Sequence, residues 1–130
     1  VMQFQRDTSG EDFYALTTFR RDGTAVSTPI WLAPAKGCWY AFTAGRSGKV
    51  ARLRRDPRVQ VAPSDFHGEP AGAASEGTAR VLPDAQFRTA VRALTAKYGW
   101  KFRFFRLVSW LGRGRRRGGP PVGLEIVLAG

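Results

Sequence analysis

The most constraining stretch of the chain is 24–33, where Val26, Thr28, Ile30 and Leu32 alternate with Ser27, Pro29 and Trp31. A period of two is that of a half-buried strand, because successive side chains leave a pleated backbone on opposite faces. Pro29 lies inside the alternation and cannot donate a ladder hydrogen bond, so the strand belongs at a sheet edge or carries a bulge. Similar strands flank it. Residues 13–20 precede it across the turn Arg21-Asp22-Gly23, and 38–43 follow it across Pro34-Ala35-Lys36-Gly37. Three strands joined by short turns predict a meander.

From Ser47 the period changes. Val50 and Leu53 lie three apart while Lys49, Arg52 and Arg55 fill another face, so 47–56 reads as a short helix capped by Ser47 and stopped by Asp56-Pro57. Residues 58–62 predict a fourth strand with Val59 and Val61 inward, and 63–72 a loop carrying Asp65 and His67. A fifth strand spans 73–82. Pro83-Asp84 opens a helix with Phe87, Val91, Leu94 and Tyr98 on one stripe, ended by Gly99. A second helical piece at 101–111, a basic loop at 112–121 and a last strand at 123–129 complete the chain. This order predicts one mostly-β (α+β) domain over 1–130, a closed or nearly closed antiparallel barrel. It carries six strands, one short inserted helix and a helical excursion before the last strand.

Composition narrows the function classes. A chain of 130 residues with 43% hydrophobic side chains suits one core, and its modest burial makes a dimer interface a natural supplement. The formal charge of +11 attracts polyanions: nucleic acid, anionic lipid or a phosphorylated cofactor. Cys38 is the only cysteine and reads as a small core residue; with His67 the only histidine, no metal centre is expected. No apolar run approaches the ~18 residues of a membrane span, which points to a soluble, cytoplasmic protein.

Three segments and one residue carry candidate chemistry. In 43–58 a helix N-terminus offers unpaired N–H groups, Gly45 and Gly48 permit close backbone approach, Ser47 can donate, and Lys49 and Arg52 share a face. The spacing is not that of a Walker loop. A phosphate anchor and a solvated basic helix are both open readings. Ser27-Thr28-Pro29 reads either as backbone and polar groups facing a planar ring or as a strand with its polar face in water. Residues 101–117 hold seven basic side chains interleaved with Phe102, Phe104, Phe105 and Trp110, which suits nucleic acid, a membrane surface or simple burial against the barrel. His67, two residues from Asp65, is a weak catalytic candidate on a loop where surface histidines are common.

The strings Leu16-Thr-Thr-Phe-Arg-Arg-Asp-Gly-Thr24, Val26-Ser-Thr-Pro-Ile-Trp31, Ser47-Gly-Lys-Val-Ala-Arg-Leu-Arg-Arg-Asp-Pro57 and Glu76-Gly-Thr-Ala-Arg80 resemble the pyridoxamine-phosphate-oxidase-like FMN-binding split barrels. The closest likeness is to the branch that uses the deazaflavin coenzyme F420, common in actinobacteria. The resemblance runs over 13–82 and returns at Gly123-Leu-Glu-Ile126. It implies a six-stranded split barrel that forms a homodimer with cofactor at the subunit interface. Lys49 and Arg52 would hold the cofactor phosphate, with Ser47 and Gly48 beside it. Val26, Ser27, Thr28 and Pro29 would line the ring, and Thr43 would lie at the ring or ribityl edge. The implied activity is an F420-dependent reductase passing hydride to a small organic acceptor. FMN in the same barrel, a carrier without turnover, and a basic nucleic-acid or membrane-surface binder are the alternatives, although no nucleic-acid partner is expected. Around 69–71 the chain lacks an aromatic that some relatives place over the ring.

Overall fold

Alternation in the first half of the chain produces strands, and the turns at Gly23 and Gly37 each fold one strand back on the strand before it. The computed structural model describes residues 13–35, 37–64, 73–99 and 121–129. Strands β1 (Phe13–Phe19), β2 (Ala25–Ile30), β3 (Leu32–Ala35) and β4 (Cys38–Ala44) lead into helix α1 (Gly48–Arg55). Strands β5 (Arg58–Ser64) and β6 (Ser75–Val81) follow, then a 3₁₀ turn (Asp84–Gln86), helix α2 (Phe87–Tyr98) and β7 (Pro121–Leu128). Gly23 supports the β1–β2 turn at φ 88°, a left-handed value that glycine adopts without a side-chain clash.

All neighbouring strands are antiparallel, in the order β2-β1-β5-β6-β7-β4-β3. The two end strands of this order, β2 and β3, are consecutive in the chain and separated by Trp31 alone. Laid flat, seven strands at ~4.8 Å spacing would hold their outer edges about 29 Å apart. The Cα atoms flanking one residue span only about 7 Å. The sheet must therefore curl until its edges meet, which makes the antiparallel barrel predicted from the strand pattern.

The strand count differs from the expected six. The alternating stretch 24–33 forms two strands: β2 pairs with β1, and beyond Trp31 the chain changes partner to β4 as β3. Pro29 of β2 lies opposite Ala15, and among the described residues β2 has β1 as its one ladder neighbour, so the missing N–H falls on an edge strand as its chemistry requires.

Tyr14, Leu16, Ile30, Leu32, Trp39, Ala41, Val59, Val61, Leu124 and Ile126 fill the interior, with Leu53 of α1 packed among them. Helix α2 covers the outer side of β3, β4 and β7: Leu94 and Tyr98 bury against Ala33, with Trp31 and Phe42 alongside. Gly123 permits this approach, since a Cβ there would stand 2.9 Å from Ala90 Cβ. Cys38 is not a core residue. The register of β4 turns Trp39, Ala41 and Thr43 inward, leaving Cys38 half-buried on the face it shares with Tyr40. Among the described residues no helix is long and apolar enough to cross a membrane, and no group of three or more His, Cys, Asp or Glu comes together.

Candidate functional site

The β4–α1 junction is built by a turn in which Ser47 N–H donates to Ala44 C=O at 3.1 Å. Ser47 is the N-cap residue of α1, as expected from the sequence, but its hydroxyl makes no capping bond. That Oγ is buried and has no hydrogen-bond partner among the described residues. Gly48 opens the helix and Lys49 follows it, half-buried. Val50 and Leu53 anchor the opposite face of α1 in the protein, so the polar face of the helix is held in one orientation.

Arg52 Nε donates to Thr18 Oγ1 at 2.6 Å, bringing the guanidinium to the end of β1. A Cβ on Gly48 would lie 2.8 Å from Arg52 Nη1, so the guanidinium occupies the place a side chain at 48 would take. Burial, then the charges of Arg20 and Arg55, hold the Arg52 pKa below the ordinary guanidinium value. No carboxylate among the described residues answers it. Asp56 is engaged by Arg58 at 2.9 Å, and Asp22 accepts the N–H of Thr24 at 2.9 Å. Arg55 donates to Phe19 C=O at 2.7 Å and the Arg58 guanidinium lies 5.1 Å from the Phe19 ring centroid, so several cations converge on the end of β1.

The segment 26–29 divides between two faces. Val26 and Thr28 stand opposite Thr18 and Leu16, and Ser27 and Pro29 opposite Thr17 and Ala15. Thr17 Oγ1 and Ser27 Oγ share a hydrogen bond of 2.6 Å, whereas Thr28 Oγ1 is buried with no partner. Thr43 is buried on the inward face of β4, opposite Val122, and shares no hydrogen bond with the α1 group. The structure thus joins Ser47, Gly48 and Arg52 to the β1–β2 ladder that carries Ser27 and Thr28. His67, Asp65 and the segment 101–117 lie outside the described residues.

Thr17 and Thr18 were not singled out from the sequence. Their signal is a pair of hydroxyls in an otherwise apolar strand, which needs a polar neighbour on each face. On the sequence alone Arg55 reads only as part of the polar face of the helix.

Among the described residues, a guanidinium with no carboxylate, a buried hydroxyl without a partner at a helix N-terminus and a glycine that leaves room for that guanidinium fit the phosphate of a flavin-type cofactor. No curated protein sequence matches the chain. Among solved structures, a conserved hypothetical protein from Mycobacterium tuberculosis shares 21% identity at TM-score 0.68, over 99% of this chain and 80% of that one. A FAD-binding protein from Mesorhizobium loti shares 18% at TM-score 0.67, over 99% and 87%. An F420 reductase shares 15% at TM-score 0.63, over 98% and 94%. At these identities the likeness is one of fold. The pyridoxamine 5'-phosphate oxidase family matches residues 3–124, nearly the whole chain, and the protein belongs to that family.

Proposed function

We infer that this protein is a coenzyme F420-dependent reductase, with the cofactor phosphate held at Ser47, Gly48, Lys49 and Arg52. The observation that carries the reading is Arg52: a partly buried cation, crowded by Arg20 and Arg55, with no carboxylate partner among the described residues. A bound phosphate would supply the missing negative charge and accept from the Ser47 hydroxyl and the first N–H groups of α1. The bond to Thr18 fixes one edge of the guanidinium, leaving its remaining N–H groups to grip an anion.

The ring would lie along β2, where an edge strand leaves main-chain groups without a ladder partner and Thr28 offers an unpaired hydroxyl. Val26, on the face of Thr28, would supply apolar contact, Ser27 and Pro29 would contribute main-chain groups at the strand edge, and Thr43 would approach the ribityl side. Bound there, the reduced deazaflavin supplies a hydride to an acceptor. The chain's own residues orient that ring, exclude water from one face and neutralise the phosphate. The convergence of Arg20, Arg52 and Arg55, with Arg58 already paired to Asp56, suits a cofactor with an acidic tail beyond its phosphate, which favours F420 over FMN. A homodimer would complete the cofactor site at its interface.

Fluorescence-quenching titrations with F420 and with FMN test the reading directly. Tight binding of F420, weaker binding of FMN and a dimer in sedimentation support it. Binding of neither cofactor at micromolar concentrations overturns it, and preference for FMN replaces F420 by a flavin in the same cradle.

A further inference from the structure

The last turn of α2 reaches the seam where the two ends of the sheet meet. Tyr98 Oη accepts from Leu32 N–H at 3.0 Å and donates to Leu32 C=O at 3.0 Å. Lys97 Nζ donates to the same carbonyl at 2.9 Å and to Tyr14 Oη at 2.6 Å. The Trp31 ring stacks on Tyr98 with centroids 4.6 Å apart and planes at 19°, and meets Phe13 edge-on at 6.2 Å. The Lys97 ammonium lies 4.5 Å from the Tyr14 ring centroid and 5.0 Å from that of Tyr98.

The arrangement grips both sides of a one-residue joint. Leu32 is the first residue of β3, an end strand, and Tyr98 satisfies the main-chain groups that a further strand would otherwise take. Tyr14 is the register partner of Ile30, the last residue of β2. Lys97 therefore ties the residue opposite the end of β2 to the residue that begins β3, and Trp31 between them is held by its stack. Tyr14 and Tyr98 are buried, so these bonds are made in a shielded setting, where each is electrostatically stronger than it would be in water. Among the described residues strand β2 has one ladder neighbour, which makes its pose depend on this joint more than that of a central strand would.

We propose that Lys97 and Tyr98 are positioning residues: they lock the bend at Trp31 and thereby set the pose of the β2 edge on which the cofactor ring rests. The link to the ring depends on the function inferred above; the lock on the bend does not. Two variants separate the parts. Tyr98→Phe keeps the stack on Trp31 and removes one hydroxyl, and Lys97→Met keeps the apolar stem and removes the ammonium; should the second fail to fold, the first suffices.

Amide hydrogen exchange in the unliganded protein is the primary measurement. Exchange at residues 27–33 rises about tenfold or more in both variants while β5 exchanges as in the wild type, because the loss is local to the joint. Unchanged exchange at 27–33, or an equal rise across β5, overturns the lock. In parallel, titration with F420 or FMN, whichever the wild type binds more tightly, shows about tenfold weaker binding in the variants. Inorganic phosphate as competitor keeps its affinity, since α1 is untouched. Faster exchange with unchanged cofactor affinity overturns the positioning of the ring. A wild type that binds neither cofactor ends the functional reading, and the exchange data then decide the lock alone.

Discussion

Arg52 and Thr18 meet at 2.6 Å across 34 positions of sequence, and this bond fastens the polar face of α1 to the end of β1. It fixes where positive charge is presented without neutralising it, since a threonine hydroxyl carries no charge. Replacing Arg52 by Met is expected to weaken binding of a phosphate-bearing cofactor by one to two orders of magnitude, in line with about 1.5–3 kcal/mol for a hydrogen bond to a charged group. Stability should also fall, by about 1–3 kcal/mol at most, because the fully buried Thr18 hydroxyl loses this partner while relief of repulsion from Arg20 and Arg55 offsets part of the loss. Calorimetric titration and thermal unfolding of the same sample check both statements.

Gly48→Ala separates stability from affinity. The new Cβ would stand 2.8 Å from Arg52 Nη1, the end of a flexible side chain, so the guanidinium moves and the fold stands. Exchanging glycine for alanine in a helix favours folding by roughly 0.5–1 kcal/mol. The expected result is an unchanged or slightly higher melting temperature with weaker cofactor binding.

Gly77 has no such freedom. A Cβ there would lie 2.3 Å from the Val127 carbonyl oxygen and 2.9 Å from Leu128 Cα, both main-chain atoms of the neighbouring strand β7. Gly77→Ala must push β6 away from β7, at a cost of about 3 kcal/mol or more. Denaturant unfolding should show that loss, with increased exchange along β7.

Tyr40 gives the protein a sensitivity to alkali. Its hydrogen bond with Cys38, then burial, then the charges of Cys38 and Glu125 push its pKa from 10.0 up to about 12. The folded state keeps this proton while the unfolded chain has begun to lose it, so stability falls as pH rises from about 10 to about 12. Ultraviolet titration of the native protein should lose its transition near pH 12 in Tyr40→Phe. Cys38→Ala should move that transition downward.

Much of this architecture was legible from residue order, because local physics decides it. The alternation around Val26 and Thr28, the edge position of Pro29, the N-cap at Ser47 and the stop at Gly99 each depend on near neighbours. The break at Trp31 was not legible. Ile30 and Leu32 are both buried, so the period of two continues through the joint and carries no sign that the partner strand changes. Cys38 follows the same logic in reverse: its chemistry suits a core, but the register of β4 decides its face. The bond from Arg52 to Thr18 and the grip of Lys97 on Tyr14, 83 positions apart, arise only when the sheet curls.

The single-residue joint also limits how the chain can change by insertion or deletion. Its flanking strands lie at opposite ends of the ladder order, yet they share one covalent link and continue one inward-outward alternation. If the joint is to keep its one-residue length, adding or removing one residue beside Trp31 must shift the register of β2 or of β3 by one and turn its inward side chains outward. At this joint the width of the split and the parity of two strands are encoded together in one amino acid.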